Sequence, residues 1–242
     1  VPKQRLDLLV STLGLAESRE QAQRLILAGE VTVNGHPATK PGMKVDDTLP
    51  IAVKNKPRYV SRGGLKLEGA LAAFPVSAEG KVCLDIGSST GGFTDCLLQH
   101  GAVRVHAIDV GTNQLVWKLR TDPRVIVKEQ FNARYMTPED LGEPIQLIVS
   151  DVSFISLTKI LPAAFACMAD GGDALVLIKP QFELQPEDIG PGGIVRDPDL
   201  HRRAVDKIHT FVTETLGRQW MGIADSPITG MEGNREFLAW LK

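Results

Sequence analysis

The stretch KVCLDIGSSTGGFTDCLLQHG, residues 81–101, decides the fold. Its first six residues read as a buried strand ending at Asp85-Ile86, and an apolar helix follows over 90–100. The turn between them is rich in glycine, which lets a backbone pass close to a ligand, and the helix start offers free N–H groups. The spacing Gly87, Gly91, Gly92 is not the G-x-G-x-x-G of dinucleotide binders. Asp85, just before the turn, sits poorly with a pyrophosphate and well with a cationic ligand.

Outward from this unit, strand and helix patterns alternate. Strands are predicted at 81–86, 103–109, 124–128, 145–150, 173–179, 219–225 and 236–241, and helices at 64–74, 90–100, 114–120, 157–169 and 199–216. Such alternation predicts an α/β fold, a mostly parallel seven-stranded sheet with helices on both faces. The second strand, in VRVHAIDVG (103–111), ends at Asp109. A carboxylate there either caps the strand end or accepts hydrogen bonds from both hydroxyls of a ribose. Asp85, the turn residues Gly87, Ser88, Ser89, Gly91, Gly92 and Phe93, and the Asp109-Val110 pair together read as an S-adenosyl-L-methionine pocket. Asp85 faces the amino-acid end of the cofactor in this reading, and Asn132, in EQFNAR (129–134), helps frame the adenine.

In ALVLIKPQFE (174–183) a core strand ends in Lys179, and Pro180 forbids further pairing. A charged amine there is either a solvated stop signal or a catalytic group, and ligands of open α/β sheets sit at the carboxyl ends of strands. The neighbouring strand, in LIVSDVSFISL (147–157), delivers Asp151 to the same crevice. The Asn/Asp-Pro-Pro-aromatic motif of many amino-group methyltransferases is missing after it, which argues against exocyclic amines as the target. Phe154 reads as a core aromatic or a pocket-lining one.

Residues 1–60 carry nine Lys/Arg against six Asp/Glu and the remainder eighteen against twenty-three, so the overall charge of −2 hides a basic module on an acidic body. That asymmetry fits a nucleic-acid handle on an enzyme. Within residues 4–45, Leu6, Leu9, Val10 and Leu13 fall at helical spacing, and Ser18 caps a second helix carrying Ala22, Leu25 and Ile26. EVTVNG then enters an Asn-Gly hairpin turn. Arg5, Arg19 and Arg24 project from the helices and Lys40, Lys44, Lys54, Lys56 and Arg58 from loops, together favouring a phosphate-contacting surface. The segment resembles an S4 RNA-binding domain in RLD, SREQAQRLILAGEVTVNG and KPG, a family that recognises structured RNA. The reading divides the chain into an α+β module at 1–54, a linker at 55–61 and the α/β body at 62–242.

The body resembles the FtsJ/RrmJ group of RNA ribose methyltransferases, and the S4 module ahead of it the TlyA type, often labelled haemolysin A. The resemblance runs through SRGGLKLEGAL, DIGSSTGGFTD, IDVG, QLVWKLR, SDVSFISL, LIKPQFE and GNREFL. It implies a Rossmann-like S-adenosyl-L-methionine-dependent fold and a Lys-Asp-Lys-Glu tetrad, matched here at Lys66, Asp151, Lys179 and Glu236. It further implies methylation of ribose 2′-oxygens, commonly of cytidines, with ribosomal RNA or ribosomal subunits as partners, in the cytoplasm. A 2′-hydroxyl must lose its proton during attack, and a lysine amine can take it where burial or a neighbouring cation favours its neutral form. On this reading Lys179 accepts or steers the proton, Lys66 and Asp151 tune and place the amine, and Glu236 holds Lys66 or the ribose. Gln130-Phe131 departs from the smaller polar pair of the family. Val1 at the start, and an end at Lys242 ahead of the family's usual one, imply a trimmed chain.

The rest of the sequence narrows the alternatives. Cys83, Cys96 and Cys167 show no CxxC spacing and read as buried hydrophobes of a reducing compartment. The five histidines have no metal-ligand spacing, and methyl transfer needs no metal. No apolar run approaches the ~20 residues of a membrane span, so stable membrane association is not expected. Residues 181–203, rich in Pro and Gly, read as a mobile flap, and Trp117 and Trp240 as core. Two competing functions are a membrane-active haemolysin, which liposome leakage would reveal, and a non-catalytic RNA-binding protein, which would show losses in the tetrad. Oligomeric state, target nucleotide and target subunit are not encoded legibly.

Overall fold

The computed structural model describes residues 3–16, 18–54, 57–230 and 233–242, and the chain divides into two compact units, Val1–Arg58 and Tyr59–Lys242. In the first unit β1 (Lys3–Arg5) leads into α1 (Leu6–Thr12), and α2 (Arg19–Leu27) is followed by β2 (Val31–Val33), β3 (His36–Ala38), β4 (Lys44–Asp46) and β5 (Ile51–Val53). Ser18 caps α2 by accepting the Gln21 N–H at 3.1 Å, as its position predicts. The β-structure forms two small sheets, β1 with β4 and β3-β2-β5, the β2–β3 pair closing the expected Asn-Gly hairpin. Leu6, Leu9, Val10, Ala22 and Ile26 bury one stripe of the helix pair against Val31, Val33 and Val45.

The second unit opens with α3 (Gly63–Ala73), then β6 (Val82–Ile86), α4 (Gly92–Gln99), β7 (Arg104–Ile108), α5 (Trp117–Arg120), β8 (Val125–Lys128) and α6 (Pro138–Leu141). It continues through β9 (Ile145–Ser150), α7 (Leu161–Ala166), β10 (Met168–Ile178), α8 (Pro180–Glu183), α9 (Pro198–Thr210), β11 (Trp220–Asp225) and β12 (Phe237–Leu241). Its seven strands run in the order β11-β12-β10-β9-β6-β7-β8, all pointing the same way except β12, which runs antiparallel to both β10 and β11. One core layer takes Leu84, Ile86, Ile108, Ile148, Val176, Ile178, Ala239 and Leu241. The other takes Cys83, Val105, Ala107, Leu147, Val149, Leu175, Leu177 and Leu238, and on it pack Leu67 and Ala70 of α3 with Phe93, Cys96 and Leu97 of α4. Strand periodicity of two thus assigns each residue to a layer.

Several elements depart from the sequence reading, each for a local reason. The helix predicted at 114–120 keeps only Trp117–Arg120, because the Glu129 carboxylate captures the N–H groups of Asn113, Gln114 and Leu115 and bonds the Arg120 guanidinium. The helix predicted at 157–169 splits into a short 3₁₀ turn and α7, whose second residue is Pro162, and β10 already begins at Met168. Polar contacts tie the 181–203 segment to the body and to α9. Asn234 accepts the Val195 N–H and donates to the Gly193 carbonyl, both at 2.9 Å, and Arg203 grips Asp188 with two bonds. Trp117 is 75% exposed rather than core, while Trp240 is half-buried and donates its indole N–H to Asp173.

Of the linker, residues 55 and 56 lie outside the described residues, whereas Tyr59 and Val60 pack with the second unit. The Tyr59 ring lies against Gly64, and the Val60 N–H bonds the buried Asp95 carboxylate at 2.9 Å. Gly92, at the start of α4, faces the start of α3 so closely that a Cβ there would lie 2.3 Å from Ser61 Oγ and 2.8 Å from Gly64 N. A helical Gly→Ala change normally stabilises by ~1 kcal/mol. At Gly92 the backbone contact reverses the sign, and Gly92→Ala is expected to destabilise the second unit by about 1–3 kcal/mol in thermal unfolding. A rise in Tm would contradict this packing.

Candidate active site

Five strands aim a polar residue at one place. At the carboxyl ends of β6, β7, β9 and β10, the parity that puts Cys83, Ala107, Val149 and Leu177 in the α3–α4 layer puts Asp85, still within β6, and Asp109, Asp151 and Lys179, each just past its strand, on the same face. β12 runs antiparallel to β10 with Phe237 opposite Ile178, so its first flanking residue, Glu236, arrives beside Lys179. Lys66 descends from α3, which covers this face.

The side chains form one chain of opposite charges. Lys66 Nζ lies 2.6 Å from Glu236 Oε2 and 3.5 Å from Asp151 Oδ2. Lys179 Nζ lies 2.6 Å from Asp151 Oδ1 and donates to Ser153 Oγ at 2.9 Å. Both lysines are only 8% exposed, so each needs an anion to offset its desolvation, and two carboxylates serve two ammoniums. Gly230 adjoins Glu236: its N–H bonds the Asn234 carbonyl, and a Cβ on it would meet Glu236 Oε1 at 2.6 Å. The sequence allows Glu236 either Lys66 or the ribose, and its contact is with Lys66.

The glycine turn adjoins this chain. Gly87 has φ +82°, and a Cβ there would lie 2.9 Å from the Asp151 carbonyl oxygen. Gly91 has φ +101° and faces Leu115 and Leu119. Gly92 packs on α3 as described, and the Phe93 side chain lies in the core, which leaves only its backbone for a ligand. Ser88 is buried, whereas Ser89, Val110 and Asn132 are exposed. Asp109 is fixed by the N–H groups of Ser89, at 2.8 Å, and Gly111, at 2.7 Å. Asn132 accepts the Arg134 N–H and caps a short 3₁₀ turn.

Asp85 is the anomalous group. It is fully buried, its Oδ2 accepts the Thr94 hydroxyl at 2.6 Å, and its Oδ1 has no partner. Burial pushes this carboxyl up to about 7, against the Thr94 hydrogen bond, and the charge of Asp151 adds to the rise. An unpaired buried carboxylate oxygen below a glycine cradle, with a second carboxylate beside it, suits a ligand bearing both a cation and a pair of hydroxyls.

Sequence reasoning missed Ser153 and Thr94. Ser153 stands two residues after Asp151, and Thr94 stands nine after Asp85 on the helix that covers it. Phe154 is neither core nor enclosed: it is 91% exposed with φ +63°, its ring 5.1 Å from that of Phe182. Lys179 Nζ lies 5.9 Å from the Phe182 centroid. On the first unit, Arg24, Lys40 and Lys44 are exposed, but Arg5 and Arg19 direct their guanidiniums at the buried Asp7, which also receives Gln23. These contacts hold the Asp7 carboxyl far below the usual carboxylate range, the Arg5 hydrogen bonds contributing most. Among the described residues there is no group of three or more His, Cys, Asp or Glu placed to hold a metal ion, and no helix long and apolar enough to cross a membrane.

Comparison with known proteins places both units. The FtsJ-like methyltransferase family model matches residues 59–242, and the S4 domain model matches residues 4–49. The 16S/23S rRNA (cytidine-2′-O)-methyltransferase TlyA of Mycobacterium tuberculosis is 47% identical over 240 residues, covering 98% of this chain and 89% of its own. Hemolysin A of Brachyspira hyodysenteriae is 48% identical over 236 residues, covering 97% of this chain and 98% of its own. A provisionally named hemolysin of Streptococcus thermophilus, of solved structure, matches with a TM-score of 0.76 and 50% identity, over 99% of this chain and 88% of that one. The chain, a seven-stranded body behind an S4 domain, belongs to the FtsJ-like methyltransferase family.

Proposed function

We propose that this protein transfers a methyl group from S-adenosyl-L-methionine to a ribose 2′-hydroxyl of ribosomal RNA, at a cytidine, with the S4 domain docking the structured RNA and the reaction taking place in the cytoplasm. The observation that carries this reading is the ion chain Glu236–Lys66–Asp151–Lys179 at the carboxyl edge of the sheet, next to the glycine turn. The relative named as a cytidine-2′-O-methyltransferase supports the substrate.

The residues fit the cofactor. The partnerless Asp85 Oδ1 is an acceptor for its ammonium, Asp109 for its ribose hydroxyls, and Gly87 leaves the space a Cβ would fill. When bound, S-adenosyl-L-methionine supplies an electrophilic methyl group on a sulfonium centre. The protein's part is to remove the proton of the attacking hydroxyl, and Lys179 is the base assigned here. Asp151 orients the Lys179 amine. Lys66 shares Asp151, so the carboxylate charge is taken up by the lysines and does not overstabilise a sulfonium whose charge vanishes in the transition state. Glu236 holds Lys66 in place. Phe154, exposed beside Phe182, offers a flat apolar face on which a nucleobase stacks.

Labelled cofactor and ribosomal subunits lacking 2′-O-methylation test the reading directly. Label is expected in cytidine 2′-O-methyl groups, and Lys179→Ala is expected to lower kcat at least ~100-fold with cofactor and subunit affinity unchanged. Label on a base, or near-normal turnover in Lys179→Ala, would defeat it; liposome leakage without methyl transfer would favour the haemolysin reading.

Asp85 gives a pH signature of its own. Only its ionised form pairs with an ammonium, so cofactor affinity is expected to rise with pH up to about 7 and flatten above it. Asp85→Asn binds weakly and shows no such slope. Stability has the opposite sign, because the raised carboxyl favours folding below the ordinary carboxylate range and loses that contribution as pH rises through about 7. Asp85→Asn is therefore expected to stabilise the ligand-free protein at pH 8, on the order of a few kcal/mol and visible as a higher Tm, and to leave it unchanged near pH 3. Equal gains at both pH values would contradict the buried, partnerless carboxyl.

A further inference from the structure

The tetrad leaves one contact of its central lysine unassigned. Lys179 Nζ donates to Ser153 Oγ at 2.9 Å while pairing with Asp151 Oδ1 at 2.6 Å. A neutral amine is a threefold rotor with two N–H bonds and one lone pair. The ion pair with Asp151 places the amine without fixing its rotation, and the lone pair points differently in each setting. The Ser153 hydrogen bond removes that freedom: it commits one N–H, the negative Asp151 oxygen disfavours a lone pair turned towards it, and the lone pair takes the remaining position. From this geometry we infer that Ser153 is a positioning residue for the methyl-transfer reaction, setting the rotation of the Lys179 amine so that its lone pair faces the 2′-hydroxyl. The inference rests on the reading of Lys179 as the base.

The surrounding backbone agrees. Ser153 follows Asp151 by two residues, in the segment that leaves the carboxyl end of β9. The next residue, Phe154, adopts φ +63°, a left-handed conformation that is unfavourable for a residue with a Cβ. The chain therefore reverses directly after Ser153, which keeps the hydroxyl near Lys179 instead of carrying it away with the loop. Sequence pattern points the same way. Position 153 corresponds to the second proline of the Asn/Asp-Pro-Pro-aromatic pattern, a residue with no side-chain hydrogen-bonding group, and here it supplies a hydroxyl. Ser153 is itself exposed, so its removal leaves no buried void, and its effect is separable from folding.

The test compares Ser153→Ala, Ser153→Thr and Lys179→Ala by steady-state methylation of unmodified ribosomal subunits, with Tm measured for each. Ser153→Ala is expected to lower kcat by roughly three- to thirty-fold, the range of one lost hydrogen bond plus misorientation, with KM for cofactor and subunit and Tm unchanged. Ser153→Thr, which keeps the hydroxyl, is expected to restore most of kcat. Ser153→Ala added to Lys179→Ala should cost nothing more, since the serine acts through the lysine. Wild-type kcat in Ser153→Ala, equal loss in the Ala and Thr variants, or a loss confined to KM would overturn the inference. Those results with Lys179→Ala inactive would remove Ser153 alone, whereas an active Lys179→Ala would remove the base assignment beneath it.

Discussion

Asp151 stands between two buried ammoniums, 2.6 Å from Lys179 and 3.5 Å from Lys66, and the site is organised around that sharing. Burying a lysine without an anion costs several kcal/mol of desolvation. Two lysines at one strand edge are tolerated only because Asp151 and Glu236 lie between and beside them. Removing either carboxylate would strand a positive charge in a nearly dry pocket. The same pairing balances the lysine charges within the site, and Asp85, separately buried, keeps one oxygen without a hydrogen-bond partner, the one that the proposed function gives to the cofactor's ammonium.

Sheet geometry supplies the precision. Asp85, Asp109, Asp151, Lys179 and Glu236 belong to five strands, yet all share the parity of the α3–α4 core layer. A one-residue slip in any strand would turn its polar residue into the opposite layer, so burial of Val149, Leu177 and Leu238 fixes the site as firmly as it fixes the fold. The glycine turn enters the same arrangement from two sides. Gly87 meets the Asp151 backbone, and Gly92 meets the start of the helix that carries Lys66. The glycine turn, the end of β9 and the start of α3 are thus closely packed.

This logic is largely legible in the sequence. Period-two alternation and strand-end residues locate Asp85, Asp109, Asp151 and Lys179, whereas Lys66 and Glu236 are found only through the family resemblance, and the antiparallel β12 of the structure explains why Glu236 precedes its strand. What escapes depends on tertiary detail. Ser153 looks like an ordinary loop residue, because nothing in the sequence reports the positive φ of Phe154 that keeps it near Lys179. Phe154 and Trp117 carry the hydropathy of core residues, but Phe154 lies on a loop and Trp117 at the start of a one-turn helix, where periodicity does not report burial. The helix at 114–120 is shortened by Glu129, an acceptor remote enough in sequence to be invisible to local pattern. Arg5 and Arg19 read as free cations because charge counts do not reveal the buried Asp7 that engages them.

The central claim is that Glu236, Lys66 and Asp151 act on Lys179 as one unit. A double-mutant cycle on kcat with Lys66→Met and Glu236→Gln tests it most directly, with the folded state of each variant checked by Tm. If the two residues work through the same chain, the double variant loses about as much activity as the worse single variant, leaving a large coupling energy. Losses that simply add, with no coupling, would mean that the two act separately and that the ion chain is a packing feature rather than the device that sets the base.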